Sequence, residues 1–269
     1  MNNMHPFMNP SHTPVGSGSA PAPVFVSKET TLRLLRDVRE MMTVPEEGIF
    51  YKHSETDMLC GYALIIGPEG SLYDGGYYFY KFKFPADYPH SPPVVEFLTN
   101  DGETRMHPNM YKTRKMCVSI LNTWRGDQWT GCQTIKSVLI TIMSLLDDKP
   151  LLHEPGITRQ NPDYEPYNRI IQYKNYRFCM LQLLKSVSEF KKVIPDIEFH
   201  EQFYEHMCAS FRKSHSRYSA SIDALQSTYP QLEVVRTSQA YQMTITVHYP
   251  LLKISFEEAV KRLVDGIDC

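Results

Sequence analysis

His107-Pro108-Asn109, followed eight residues later by Cys117, is the constellation in this chain best suited to covalent chemistry. A cysteine thiolate is a nucleophile, and an amide fixed beside a proline turn can donate to the oxyanion formed when a thioester carbonyl is attacked. By residue type alone a plainer reading stands beside it: Asn next to Pro is a common turn residue, and cysteine is often a small buried hydrophobe. No strong general base is close in sequence. Thioester exchange does without one, because the bonds made and broken are nearly equivalent and modest thiolate character suffices.

The neighbouring residues carry more information. Phe84-Pro85-Ala86-Asp87-Tyr88-Pro89-His90-Ser91-Pro92-Pro93 leads into the apolar run Val94-Val95-Glu96-Phe97-Leu98, and Trp129-Thr130 leads into a helical run from Ile135 to Leu146. In this order the pieces resemble the ubiquitin-conjugating (UBC) enzyme family over roughly residues 27 to 156, about half of the chain. Cys117-Val118-Ser119-Ile120-Leu121, Thr123-Trp124 and His153-Glu154-Pro155-Gly156 are similar to a large, C-terminally extended subgroup. That subgroup conjugates ubiquitin and, in some members, a ubiquitin-like modifier; family cores more often carry an acidic residue where Ser119 stands.

The resemblance implies a transferase. Cys117 would take the C-terminal glycine of ubiquitin or a ubiquitin-like protein as a thioester from an activating enzyme, then pass it to a substrate lysine or a ligase. ATP is used by the activating enzyme, so this chain needs no cofactor of its own. Asn109 would stabilise the oxyanion or hold the loop in shape, and His107 and Pro108 would fix the turn. Family members keep an acid where the lysine enters, but here the run reads Lys149-Pro150-Leu151-Leu152-His153-Glu154. His153 or Glu154 would substitute, or His153 merely packs. Ligase contacts map to Pro89, His90, Thr130 and Gly131, where His90 and Thr130-Gly131-Cys132 replace the usual apolar anchor and Ser-Pro-Ala; loss of an anchor implies an unusual ligase set or none. Arg33 and Arg36 are expected on the solvent side of the first helix, where the family docks its activating enzyme; Asp37 and Glu40 share that face, so a plain solvated surface describes it equally well.

Composition sets the outer limits. The 269 residues, 42% hydrophobic and 12% aromatic, can bury a full core. Cys60, Cys117, Cys132, Cys179, Cys208 and Cys269 show no Cys-x-x-Cys or Cys/His ligand spacing, which predicts reduced thiols, no metal site, and a cytoplasmic or nuclear location. A net charge of −2 offers no global field for nucleic acid or an anionic membrane, and no apolar stretch is long enough to cross a bilayer. A soluble, unprocessed chain is expected.

The elements that must position these residues read as an α+β arrangement, for which the resemblance implies the UBC fold. Residues 1 to 24, rich in Pro, Gly, Ser and Asn, predict a disordered tail, with a catalytic core over 25–156 and a mainly helical extension over 157–269. Ser27 caps a helix whose inward face is expected to be Leu32, Leu35, Val38 and Met42. Strand-like runs at 49–52, 58–66, 77–84 and 94–98 imply a four-stranded antiparallel meander, and 99–128 a long active-site loop. Thr130 with Gln133 forms a capping box for the helix through Leu146, placing Cys132 in its first turn, either dipole-activated or packed. Beyond Gly156, helices are expected at 167–187 and 197–225, split at Pro195, then a strand at 241–249 and a helix at 254–264. Periodicity leaves open a separate helical lobe, but the large apolar faces predict that the extension packs on the core.

Two other classes compete: a catalytically weak UBC-like binding module, and a papain-like cysteine hydrolase. The first is disfavoured by retention of both Cys117 and Asn109. The second lacks any local signature of its kind.

Overall fold

The computed structural model describes residues 25–266. The expected disordered tail over 1–24 and Cys269 lie outside the described residues. Helix α1 (Lys28–Thr43) begins as anticipated, with the Ser27 hydroxyl accepting from the Thr30 amide. Its inward face differs: Thr30, Leu34, Asp37 and Met41 are buried, while Leu32, Leu35 and Met42 are exposed. Both stripes fit a helical period. The inner one carries Asp37, a buried charge made tolerable by Arg33 (Nε to Oδ1, 2.8 Å) and the Tyr88 hydroxyl (2.5 Å).

Strands β1 (Ile49–His53), β2 (Cys60–Ile66), β3 (Tyr77–Lys83) and β4 (Val94–Phe97) form the antiparallel meander in sequential order. The register aligns Tyr51 with Ala63, Ala63 with Tyr80, and Tyr80 with Phe97. Strand β3 reads Tyr-Tyr-Phe-Tyr without polar alternation because both of its faces are covered, the signature of a doubly buried strand. Tyr77 donates to the Met207 carbonyl (3.0 Å) and Phe79 packs on Phe190 and Phe203, whereas Tyr80 turns toward Met110 of the long loop that follows β4.

Helix α2 (Ile135–Leu145) covers the core through Ile135, Val138, Leu139 and Ile142. Its capping box is Thr134 with Ser137, four residues later than the expected Thr130 and Gln133. Thr130 and Gln133 do bond each other, but in a turn that precedes the helix, so Cys132 sits outside the first helical turn and is exposed rather than packed.

The extension comprises α3 (Tyr164–Lys174), which continues as a wide π-type turn over Asn175–Gln182, then α4 (Val187–Val193) and α5 (His200–Thr228). A hairpin of β5 (Glu233–Arg236) and β6 (Thr244–Val247) and a last helix α6 (Tyr249–Leu263) complete it. Strand β5 escaped sequence reading, having only four residues and exposed apolar side chains such as Val234. Leu181, Leu184, Phe199, Phe203, Met207 and Phe211 are buried in one cluster with the sheet, each worth about 1.5–3 kcal/mol before ordering entropy. At the seam, Asn175 Oδ1 accepts from the Tyr78 hydroxyl (2.5 Å), and a Cβ on Gly76 would lie 1.9 Å from that oxygen. Gly76 is therefore favoured by close approach, its backbone lying outside the left-handed region. No described helix is long and apolar enough to cross a membrane.

Candidate active site

The segment leading to Cys117 is pinned to the sheet edge: the Phe97 amide donates to the Arg114 carbonyl (2.8 Å), and the backbones of Glu96 and Lys115 form an antiparallel β-bridge. Beyond the cysteine, the Thr123 hydroxyl accepts from the Val118 amide (2.9 Å), closing the chain into a short helical turn over Ser119–Leu121. Ser119 begins this turn, half-buried. These bonds account for an ordered loop where the sequence shows no period, since backbone polar groups withdrawn from water must find partners.

Within the loop, the predicted pair is brought together. The Cys117 amide donates to the Asn109 carbonyl (2.9 Å), and Asn109 Nδ2 donates to the Cys117 carbonyl (2.5 Å). Asn109 thus laces the turn to the cysteine with one N–H and retains a second; its Oδ1 is buried without a partner. Cys117 is itself only 3% exposed, so an acyl donor reaching it must bring little bulk, a condition that a C-terminal glycine meets.

His107 is fully buried, and its Nδ1 accepts from the Asn109 amide (3.0 Å), which places the ring proton on Nε2. That nitrogen faces the Leu145 carbonyl without closing a hydrogen bond of ordinary geometry. Burial, with His153 and Arg105 beside it, holds the His107 pKa well below the usual imidazole value, so the ring stays neutral and acts as turn scaffold. The Pro108 carbonyl accepts from Arg105 Nη2 (2.6 Å), and Arg105 Nε reaches the His107 carbonyl (3.2 Å).

His153 lies against this scaffold. Its ring centroid is 5.0 Å from that of His107, and its Nε2 pairs with Asp147 Oδ2 at 3.0 Å. Glu154, the other substitute for the usual acid, is already occupied by the hydroxyl of Tyr241 from the extension.

The expected partner surface separates into two kinds of residue. Arg36 is solvent-exposed, as anticipated. Arg33 is not a free docking cation: it pairs with buried Asp37, donates to the Gly131 carbonyl (2.5 Å) and also bonds Gln133, stapling α1 to the turn before α2. The Pro89 carbonyl accepts from Trp129 Nε1 (2.7 Å), and His90 is exposed beside Glu29 (3.7 Å). Thr130 and Gly131 are exposed. Sequence reading missed Arg105, Asp147, Asp163 and Tyr241, which act through tertiary contacts and carry no local motif.

A sequence model described as ubiquitin-conjugating enzyme matches residues 33–171. Among individual proteins, the chain is 34% identical over 191 residues to a Xenopus tropicalis protein named ubiquitin-conjugating enzyme E2 Z, covering 68% of this chain and 61% of that one. The human protein of the same name is 37% identical over 157 residues, covering 57% of this chain and 44% of its own length. A probable ubiquitin-conjugating enzyme E2 24 of Arabidopsis thaliana is 27% identical over 218 residues, 77% of this chain and 22% of the other. The chain thus spans about three fifths of the frog relative and less than half of the human one.

Proposed function

This chain belongs to the ubiquitin-conjugating enzyme family, and from that premise we propose that it is a transferase charged on Cys117 with ubiquitin or a ubiquitin-like protein. In charging, the Cys117 sulfur attacks the thioester carbonyl carried by an activating enzyme. A new C–S bond forms to Cys117, the bond to the activating enzyme's sulfur breaks, and that thiol recovers a proton. In discharge, a substrate lysine or a ligase cysteine attacks the same carbonyl and Cys117 leaves as thiolate. Asn109 would meet the developing oxyanion with its second N–H.

The observation that carries this reading is the reciprocal lacing of Asn109 and Cys117 inside the family-matched region, which holds an amide donor and the candidate nucleophile in one rigid unit. Among the partners, the ligase is the least specified: His90, Thr130 and Gly131 offer an exposed surface without the usual apolar anchor. The free thiols of Cys60, Cys117, Cys132, Cys179 and Cys208 support a reducing compartment, cytosol or nucleus.

The test is incubation with activating enzyme, ATP and a panel of modifiers, followed by a non-reducing gel. Wild type is expected to form one reductant-sensitive adduct, Cys117→Ser a reductant-resistant oxyester, and Cys117→Ala none. A reducible adduct persisting in Cys117→Ala would sink the assignment. Binding without any adduct across the panel would support the binding-module reading instead.

A further inference from the structure

We propose that residues 237–243, the hairpin loop of the C-terminal extension, brace the catalytic turn, with Tyr241 as a positioning residue acting through Arg105 on His107-Pro108-Asn109. The proposal rests on the assignment of Cys117 as the charged residue and concerns what holds the neighbouring turn in place.

Arg105 is the joint. Its guanidinium carbon lies 3.4 Å from the centroid of the Tyr111 ring and 5.0 Å from that of Tyr241, in contact with core and extension together. From there it donates to the carbonyls of His107 and Pro108, the two residues immediately before Asn109. Its backbone is tied the same way: the carbonyl accepts from the Tyr167 hydroxyl (2.9 Å), and the amide lies 3.3 Å from the Met243 sulfur. Cation–π contact and a fixed fork of donors make Arg105 a rigid connector whose orientation depends on both rings.

The far side of the joint is anchored independently. Asp163 is buried, and its carboxylate accepts from the amides of Ser238 (2.8 Å), Gln239 (2.6 Å) and Ala240 (2.7 Å). The next two residues, Tyr241 and Gln242, hold left-handed backbone conformations at φ +64° and +49°. Non-glycine residues keep such angles only where surrounding bonds over-determine them. The Tyr241 hydroxyl is fastened to Glu154 and its ring packs 5.9 Å from Tyr167. A loop held at this strain, with its aromatic ring against the cation that fixes the catalytic turn, has the construction of a brace.

The consequence is kinetic. A donor displaced by about 1 Å from a developing charge can cost about a hundredfold in rate, so a turn left to drift should lose turnover rather than substrate affinity. The experiment charges the full chain, then follows single-turnover discharge across a series of free lysine concentrations for wild type, Tyr241→Phe and Tyr241→Ala. Tyr241→Ala is expected to lower the saturating rate about tenfold with the half-saturating lysine concentration unchanged. Tyr241→Phe, which keeps the ring over Arg105 and loses only the Glu154 bond, is expected to stay within about threefold of wild type.

Nuclear magnetic resonance of the uncharged proteins gives a second readout. The backbone amide of Asn109, bonded to His107 Nδ1, should shift in Tyr241→Ala and hold in Tyr241→Phe. The brace is overturned if Tyr241→Ala discharges at the wild-type rate whatever its melting temperature, or if Phe and Ala fall equally. An Asn109 amide unmoved in Tyr241→Ala overturns it too. Failure of wild type to charge refutes the functional reading instead, and the Asn109 resonance then decides the brace alone.

Discussion

Replacing Asp163 by Asn tests how strongly the extension is locked down. The carboxylate gathers four hydrogen bonds: Oδ1 takes the Ser238 amide (2.8 Å) and hydroxyl (3.1 Å), and Oδ2 takes the amides of Gln239 and Ala240. An asparagine keeps one oxygen: with its NH2 at the Oδ2 position the Gln239 and Ala240 amides lose their acceptor, whereas at the Oδ1 position the Ser238 hydroxyl can turn to accept and only the Ser238 amide is left facing a donor. One lost bond to a charged acceptor is worth about 1.5–3 kcal/mol and the remaining bonds weaken with the charge gone, while relief from burying the charge offsets part of this, leaving a cost of about 1–3 kcal/mol. With a urea slope near 2–3 kcal/mol/M, the unfolding midpoint should fall by about 0.5–1 M. The acid response supplies the control. Burial raises the Asp163 pKa, but the bonds from Ser238, Ala240 and Gln239 outweigh it and leave the value lowered. A depressed carboxylate stabilises fully above its unfolded pKa, about 3.9, and loses that contribution as pH falls through the folded value. The gap between wild type and Asp163→Asn should therefore be constant from neutral pH to about 5 and close below about 4. A midpoint shift under about 0.3 M, or a gap that persists undiminished under acid, would refute the reasoning.

Three further outcomes are expected. Asn109→Ala should charge within a few-fold of wild type but discharge to free lysine about a hundredfold more slowly; equal slowing of both steps, measured separately, would leave Asn109 as a loop residue only. His107 stays neutral when folded while the unfolded chain titrates near 6.5, so stability should be full above that pH and fall by up to about 1.4 kcal/mol per unit as the pH drops toward the folded pKa. His107→Gln should flatten this slope in urea titrations across pH 5 to 7, and an unchanged slope would remove His107 as its source. A chain truncated after Gly156 would expose Phe79 and Tyr77, which Phe190, Phe203 and Met207 now cover. It should be insoluble or melt far below the full chain, and a well-behaved truncate would show that the core needs no cover.

The meander is legible because it rests on local rules, strand period and turn residues, whereas the Asn109–Cys117 pairing is weak by residue type and spacing alone and is legible only through the family resemblance of the segments around it. Helix α1 is legible in position but not in orientation, since hydropathy favours Leu32 and Leu35 inward and cannot anticipate that Asp37 is buried with Arg33 and Tyr88 as partners. The same pair converts an expected docking arginine into a staple. Helix α2 begins late because two successive cap-like patterns, Thr130 with Gln133 and Thr134 with Ser137, both form, and only the second leads directly into the buried apolar run. Tyr241, Asp163 and Arg105 converge from distant parts of the chain, and no spacing rule reaches across 60 residues or more.

Among the largest fully buried side chains are eight tyrosines: Tyr73, Tyr77, Tyr78, Tyr80, Tyr88, Tyr167, Tyr218 and Tyr249. Burial raises the pKa of Tyr73, Tyr77, Tyr78, Tyr80 and Tyr167 well above 10, and that of Tyr249 to about 12. Their stabilisation is intact below the unfolded value near 10 and drains away as pH rises through the folded ones. In alkali these rings ionise only as the chain opens, so phenolate absorbance becomes an intrinsic optical reporter of the fold. Because the eight residues come from core and extension alike yet lie in one continuous buried cluster, the two parts should open together and bleach their protonated signal in one step, a single chromophore in effect.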